Sequence, residues 1–368
     1  MTPDGLLAAA VAGVVFVAGA GVVTGTVLSA VRTVVLPRGT AVLLSRVVFG
    51  SLRRLFDARA RRARTYERRD DAMALYAPIS LLTLPLVWLG LVLGGYTLMF
   101  WTAESRSWSD AFVTSGSSLL TLGYERPSNL AATALSFSEA ALGIAVLALL
   151  LVTYLPSMYA AFSRREAQIA LLEARAGSPP SGVEMIERYH RIDWLDRLTA
   201  VWEDWEAWFV DIEETHTSLP ALAFFRSPQG EHSWVTAAGA VLDGAALRVS
   251  VVAGPRSPEA ELCMRAGYVA LRRIAEFFRI AYDEDPAPDD PIAVTRDEFD
   301  SVYGRLADAG VPVVADRDEA WRRFAGWRVN YDAVLIALAG LVMAPYAPWS
   351  SDRSTTLRPP RRMRAAFR

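Results

Sequence analysis

Lysine is absent from these 368 residues, so all 38 basic side chains are arginine. A compositional bias explains that better than chemistry does. There is one cysteine, Cys263, which excludes an intrachain disulfide framework. Histidine occurs only at 190, 216 and 232, and no Cys/His spacing suits zinc. No phosphate-binding loop, dinucleotide fingerprint or nucleophile–base pattern is present. The expectations are therefore no enzyme, no cofactor, no resident metal and no nucleic-acid partner.

Charge is also missing, over three long stretches. Gly5 to Val31, Tyr76 to Trp101 and Ala140 to Phe162 carry none. Each exceeds or approaches the ~20 apolar residues that cross a hydrocarbon core. The chain is 52% hydrophobic, with mean hydropathy +0.23. Together these predict a multi-pass protein of the cell membrane, solvated by the lipid bilayer. The first stretch also has the small residues of a signal peptide (Ala18, Ala20, Ser29). It is too long for one, and it follows Asp4 rather than a basic segment. A retained helix is expected.

Between Arg32 and Arg69 stand eleven arginines against Asp57 and Glu67 only. Such an excess marks a cytoplasmic side. Val47, Leu52, Leu55 and Phe56 interleave with it, the pattern of an amphipathic helix on anionic headgroups. A voltage sensor needs acidic companions on neighbouring spans, which are lacking. Arg164 and Arg165 close the third run. The expected topology has the N-terminus outside, Glu104 to Glu139 outside and the C-terminus inside.

Beyond Arg164 charges are frequent and apolar residues fall at helical spacing, as at Trp194, Leu195, Leu198, Trp202, Trp205 and Phe209. Helices are expected over 163–176, 193–216, 233–253, 258–282, 296–309 and 317–344. The apolar pieces near 234–252 and 333–345 read as buried helices of a soluble domain, because the first holds Asp243 and Arg248 and the second is short. Trp194, Trp202, Trp205 and Trp208 read as bundle core. His216 follows Glu213 and Glu214, and a buried histidine satisfied by a carboxylate is expected in preference to a metal or pH-sensing site.

The chemistry is expected between the second and third runs, at Ser105 to Asn129. Ser107 or Ser109 suits a helix N-cap, with Asp110 in the first turn. The helix is too short to cross, and it meets Thr121-Leu-Gly-Tyr124. Irregular backbone survives at membrane depth only inside protein or along water. Carbonyl oxygens on such a path suit a cation.

The order helix, short helix, Ser-x-x-Thr-x-Gly-Tyr, helix resembles the two-helix potassium channels, bacterial members with a long C-terminal region included. The likeness covers about Tyr76 to Arg165. It implies that Thr121, Leu122, Gly123 and Tyr124 form the ion-binding filter and that Ser118 replaces an earlier threonine. It also implies that Gly143 is a hinge and that four copies surround a potassium path. Where the family has a second glycine and an aspartate, this chain has Glu125 and Arg126, followed by Pro127. Glu125 either forms an acidic ring at the outer mouth or pairs with Arg126. Pro156 is a second candidate bending point, with Gly143, for a gate.

The expected fold is thus an all-α membrane protein with a re-entrant pore helix and filter loop, plus a cytoplasmic helical domain. Its parts are an N-terminal transmembrane helix (1–35), an Arg-rich interfacial segment (36–75), a pore domain (76–165), a cytoplasmic α-helical domain (166–350) and a basic tail (351–368). The expected function is a homotetrameric cation channel, its helical domain regulatory and open to an unknown cytoplasmic ligand. Alternatives are a non-conducting sensor or scaffold on a degenerate pore, or a relative of potassium-uptake transporters, which would need three more such loops.

Overall fold

In the computed structural model the described residues are 3–34, 43–63, 65–104 and 107–353. Ser105, Arg106, residues 35–42 and nearly all of the expected basic tail lie outside them. The described chain is helical, and its β-structure is one antiparallel bridge between Val252 and Val313. Three stretches are long and apolar enough to cross a membrane: Leu6–Val34, Tyr66–Glu104 and Leu130–Ala176. The chain divides into two compact units, 1–53 with 78–159 and 54–77 with 160–368.

The N-terminal unit is built on α1 (Pro3–Val34), α4 (Tyr76–Glu104), α5 (Trp108–Leu119) and α6 (Leu130–Ala148). Between α1 and α4 the contact is made by glycine. A Cβ on Gly19 would meet the Gly95 carbonyl at 2.6 Å, and one on Gly95 would meet the Gly19 carbonyl at 2.9 Å. Small residues of this kind let apolar helices approach where lipid offers no hydrophobic drive. Val23 then packs with Val92, Tyr96, Met99 and Phe100. Further along the same two helices, Ala30 packs with Leu84 and Trp88, and Val48 of the following helix joins them.

The arginine-rich region forms α2 (Leu43–Ala60) and α3 (Tyr66–Ala74). Leu43, Val47 and Leu55 of α2 are exposed while Val48 and Phe56 are buried, so the helix is two-faced as its spacing implies. Thr65 caps α3 by accepting from the Arg68 N–H. Asp70 pairs with Arg226 at 3.1 Å, which fixes α3 within the C-terminal unit.

In that unit α10 (Trp234–Ser250) is the centre, buried along nearly its whole length. It is flanked by α8 (Gly182–Arg191), α11 (Pro258–Phe277), α13 (Arg317–Arg328) and α14 (Asp332–Val342). α9 (Leu198–Ser218) packs along α11, and α12 (Arg296–Asp308) against α8 and α13. The apolar run near 234–252 is thus the buried helix that its sequence led us to expect. Its polar exception, Asp243, meets Arg328, which also bonds Asp332 at 2.8 Å and the Trp349 carbonyl; Tyr331 donates to Asp243 at 2.9 Å. An arginine with three acceptors, facing carboxyls with charged donors, satisfies the cluster.

Several expectations change. The single helix over 317–344 is two, because Asn330 turns its amide onto the Gly326 and Trp327 carbonyls and ends α13. α8 was not expected, although Ser181 and Glu184 have N-cap spacing. Trp202, Trp205 and Trp208 are core, but Trp194 is 55% exposed. His216 is fully buried without a carboxylate. Its ring lies 4.7 Å from that of Trp234, and its nitrogens face Thr215 at 3.3 Å and Arg165 at 3.4 Å. Burial, then the Arg165 charge, pushes its pKa well below 6.5, so the ring is neutral. Glu213 pairs instead with Arg273, and Glu214 bonds Ser218. Among the described residues no His/Cys/Asp/Glu group is arranged to hold a metal.

Candidate functional site

Ser107, not Ser109, caps α5. Its backbone is extended and its side chain accepts the Asp110 N–H at 3.2 Å, with Asp110 in the positive first turn. The 12 residues of α5 make about 18 Å, roughly half a hydrocarbon core. Its buried residues are Thr114, Ser115, Ser117 and Ser118, with Ala111 and Leu119 at the two ends. Trp108 and Phe112 are exposed on the other side.

After Leu119 the chain wraps around the end of α5. The Thr121 N–H donates to the Ser118 carbonyl at 3.0 Å, and those of Leu122 and Gly123 to the Ser117 carbonyl at 2.8 and 3.4 Å. The Glu125 N–H reaches the Ser117 hydroxyl at 3.3 Å. In a trans peptide the N–H and the preceding C=O point in opposite directions. The oxygens of Leu120, Thr121, Leu122 and Tyr124 therefore point away from α5. Among the described residues no donor reaches the carbonyls of Thr121 to Tyr124. All of Leu120 to Tyr124 is exposed within the single chain.

Two left-handed residues produce this shape. Gly123 has φ 69°, which glycine adopts freely. Thr121 has φ 55°, a costly conformation for a β-branched residue. Strain of this type costs about 1–3 kcal/mol and concentrates at functional sites. The segment from 125 to 129 is tied back to the end of α4. Ser128 donates from N–H and hydroxyl to Glu104 at 2.5 and 2.9 Å, and Asn129 bonds the Ala103 carbonyl while capping α6.

Behind the loop, α6 holds α5 by polar contacts. The Ser118 and Ser136 hydroxyls are 2.7 Å apart. The Ser115 hydroxyl lies 2.6 Å from Glu139 Oε1 and 3.1 Å from the Leu93 carbonyl. Tyr96 of α4 meets Ser138 at 2.8 Å. Sequence reasoning missed Glu139, because the apolar run starts at Ala140 whereas α6 starts ten residues earlier, at Leu130. The Asn129 N-cap was the available signal.

No family model, curated protein or solved structure matches this chain.

The two candidate bending residues separate in the structure. Gly143 lies in regular α-helix, where a Cβ would meet the Leu119 carbonyl at 2.4 Å. It is a seat for the end of α5. The irregular helix comes later, as a π-helical stretch Leu149–Tyr154 joining α6 to α7 (Leu155–Ala176), with Pro156 directly behind it. A proline and a π-turn are both sources of helix bends. Glu125 is half-buried, and Arg126 is exposed.

Proposed function

We propose that this protein is a homo-oligomeric cation channel, four copies placing the Thr121–Tyr124 loop around a common axis in the cell membrane. One observation carries the reading: a short capped helix between two candidate spans ends in a loop whose Thr121, Leu122 and Tyr124 carbonyls point outward and meet no donor among the described residues. Unpaired oxygens at membrane depth are costly. Hydrated or partly dehydrated cations, stabilised by the same oxygens from other copies, remove that cost. The exposed apolar side chains of α5 and α6, Trp108, Phe112, Phe137 and Ile144, supply area for neighbouring copies.

On this reading Thr121, Leu122, Gly123 and Tyr124 supply the ion sites, and potassium is the favoured ion by resemblance. Glu125 stands at the outer mouth. The π-turn and Pro156 form the bending element of the gate, and Gly143 keeps α5 seated. The C-terminal helical unit is cytoplasmic and regulates opening.

The test is potassium flux into liposomes holding the purified full chain. Flux is expected, and Gly123→Val abolishes it, since a β-branched residue resists φ 69° although no atom lies within 4 Å of the added Cβ. Equal flux in both preparations rules out this loop as the path. A folded oligomer that conducts no ion favours the non-conducting scaffold instead.

A further inference from the structure

Glu139 is fully buried on an apolar helix, and a serine hydroxyl is its one hydrogen-bond partner. Among the described residues its Oε2 meets no donor or acceptor. No charged side chain of α4, α5 or α6 acts on it. The titratable group facing it is Tyr96 of α4, whose hydroxyl is engaged with Ser138; α5 contributes Ser115. An isolated carboxylate in such a place is so poorly solvated that it takes up a proton instead. Ionisable side chains within a span are functional positions by default.

We propose that Glu139 carries a proton at neutral pH and acts, as a hydrogen-bond donor, as the positioning residue that locks α5 against α4 and α6. The Glu139 O–H donates to the Ser115 hydroxyl, and the Ser115 hydroxyl donates to the Leu93 carbonyl, which also receives the Thr97 hydroxyl at 2.7 Å. One carboxylic acid thereby joins three helices. Ser115 is two residues from Ser117, whose carbonyl and hydroxyl hold the N–H groups of the loop. Removal of the proton replaces a donor by a buried charge beside Ser115 and loosens the loop's anchor. The consequence for ion flux rests on the channel reading above; the protonation and the anchoring do not.

The experiment compares infrared spectra of the full chain in lipid at neutral pH with those of Glu139→Gln. The wild type is expected to show a protonated-carboxyl carbonyl stretch that the Gln variant lacks. Hydrogen exchange at the Leu122 and Gly123 amides supplies the second readout. Gln, whose amide also donates, retains wild-type protection, whereas Glu139→Ala and Ser115→Ala exchange roughly ten-fold faster. Raising the pH accelerates exchange in the wild type beyond the change seen in Gln, and Tyr96→Phe does not remove that difference. Absence of the protonated band, or a Gln variant as unprotected as Ala, overturns the proposal. A band and Gln-rescued protection in a protein that conducts no ions support the latch and defeat only the channel reading.

Discussion

Asp243 in the C-terminal unit and Glu139 in the N-terminal unit are both carboxyls buried on apolar helices, with opposite surroundings. Asp243 accepts from Arg328 and Tyr331, and the neighbouring Asp332 shares that arginine. Glu187, also buried, is held by both arms of Arg305 at 2.6 Å. Among the described residues Glu139 has one serine, and its second oxygen has no partner. The same contrast holds for backbone: the C-terminal unit closes its loop carbonyls with Arg165, which bonds those of Leu222 and Phe225 at 2.7 and 2.8 Å. In the N-terminal unit the carbonyls of Thr121 to Tyr124 meet no donor among the described residues. The C-terminal unit thus pairs its buried carboxyls with arginine, and the N-terminal unit relies on serine and glycine.

The sharpest way to break this comparison is in the C-terminal unit. Arg328→Met leaves Asp243 and Asp332 buried without their cation. The expected loss is about 3–5 kcal/mol, read as a fall in the unfolding midpoint of the C-terminal unit. A second change, Asp243→Leu, removes one of the two stranded charges and recovers part of the loss. A change within ~0.5 kcal/mol for Arg328→Met alone means that the ion cluster does not hold this unit together.

In the N-terminal unit the decisive contact is steric. Gly143→Ala drives a methyl into the Leu119 carbonyl at the end of α5. Overpacking of that kind costs about 1–3 kcal/mol, and ion flux is expected to fall with it. Gly90→Ala on α4, where a Cβ meets nothing within 4 Å, is the control. It removes backbone entropy and is expected to be neutral or to stabilise by up to about 1 kcal/mol. If both glycines tolerate alanine equally, Gly143 is not a seat for α5.

Legibility in the sequence followed the range of the interactions. The three apolar stretches, a serine cap at 107 or 109 and most helices beyond Arg164 depend on local pattern, and the residues state them directly. α8 was legible too, through Ser181 and Glu184, but its ten residues fall in a region where Gly and Pro mark a loop. The glycine contact of Gly19 with Gly95 and the pressure of Gly143 on Leu119 join residues distant in sequence, and no periodicity announces them. Gly143 reads as a hinge from its distance to the filter motif; its Cβ-free face is used for packing, and the irregular turn falls at Leu149–Tyr154. Glu139 escaped because a charged residue at the edge of an apolar run reads as a boundary. His216 was expected to find a carboxylate from the adjacent glutamates, but on α9 both of these engage other partners while the ring turns toward Trp234.

The weakest expected effect separates the units by pH. Glu298 closes the capping box with Thr295 and receives Arg353 at 2.5 Å. That guanidinium, with the Thr295 N–H and hydroxyl, holds its carboxyl at about 2, below the ordinary 4.5. The group binds fewer protons folded than unfolded, so its contribution is whole above about 4.5 and is lost as the pH falls toward 2. Glu298→Gln is therefore expected to lower the stability of the C-terminal unit at neutral pH by a small amount, since the pair is partly solvated, and to leave it unchanged near pH 2. Infrared or exchange measurements of the Glu139 latch, by contrast, are expected to be insensitive over that acid range and to respond on the alkaline side. An acid-range response at the Leu122 and Gly123 amides, of the same sign as that of Glu298, means that the carboxyl behind α5 is ionised like the others, and the distinction between the two units disappears.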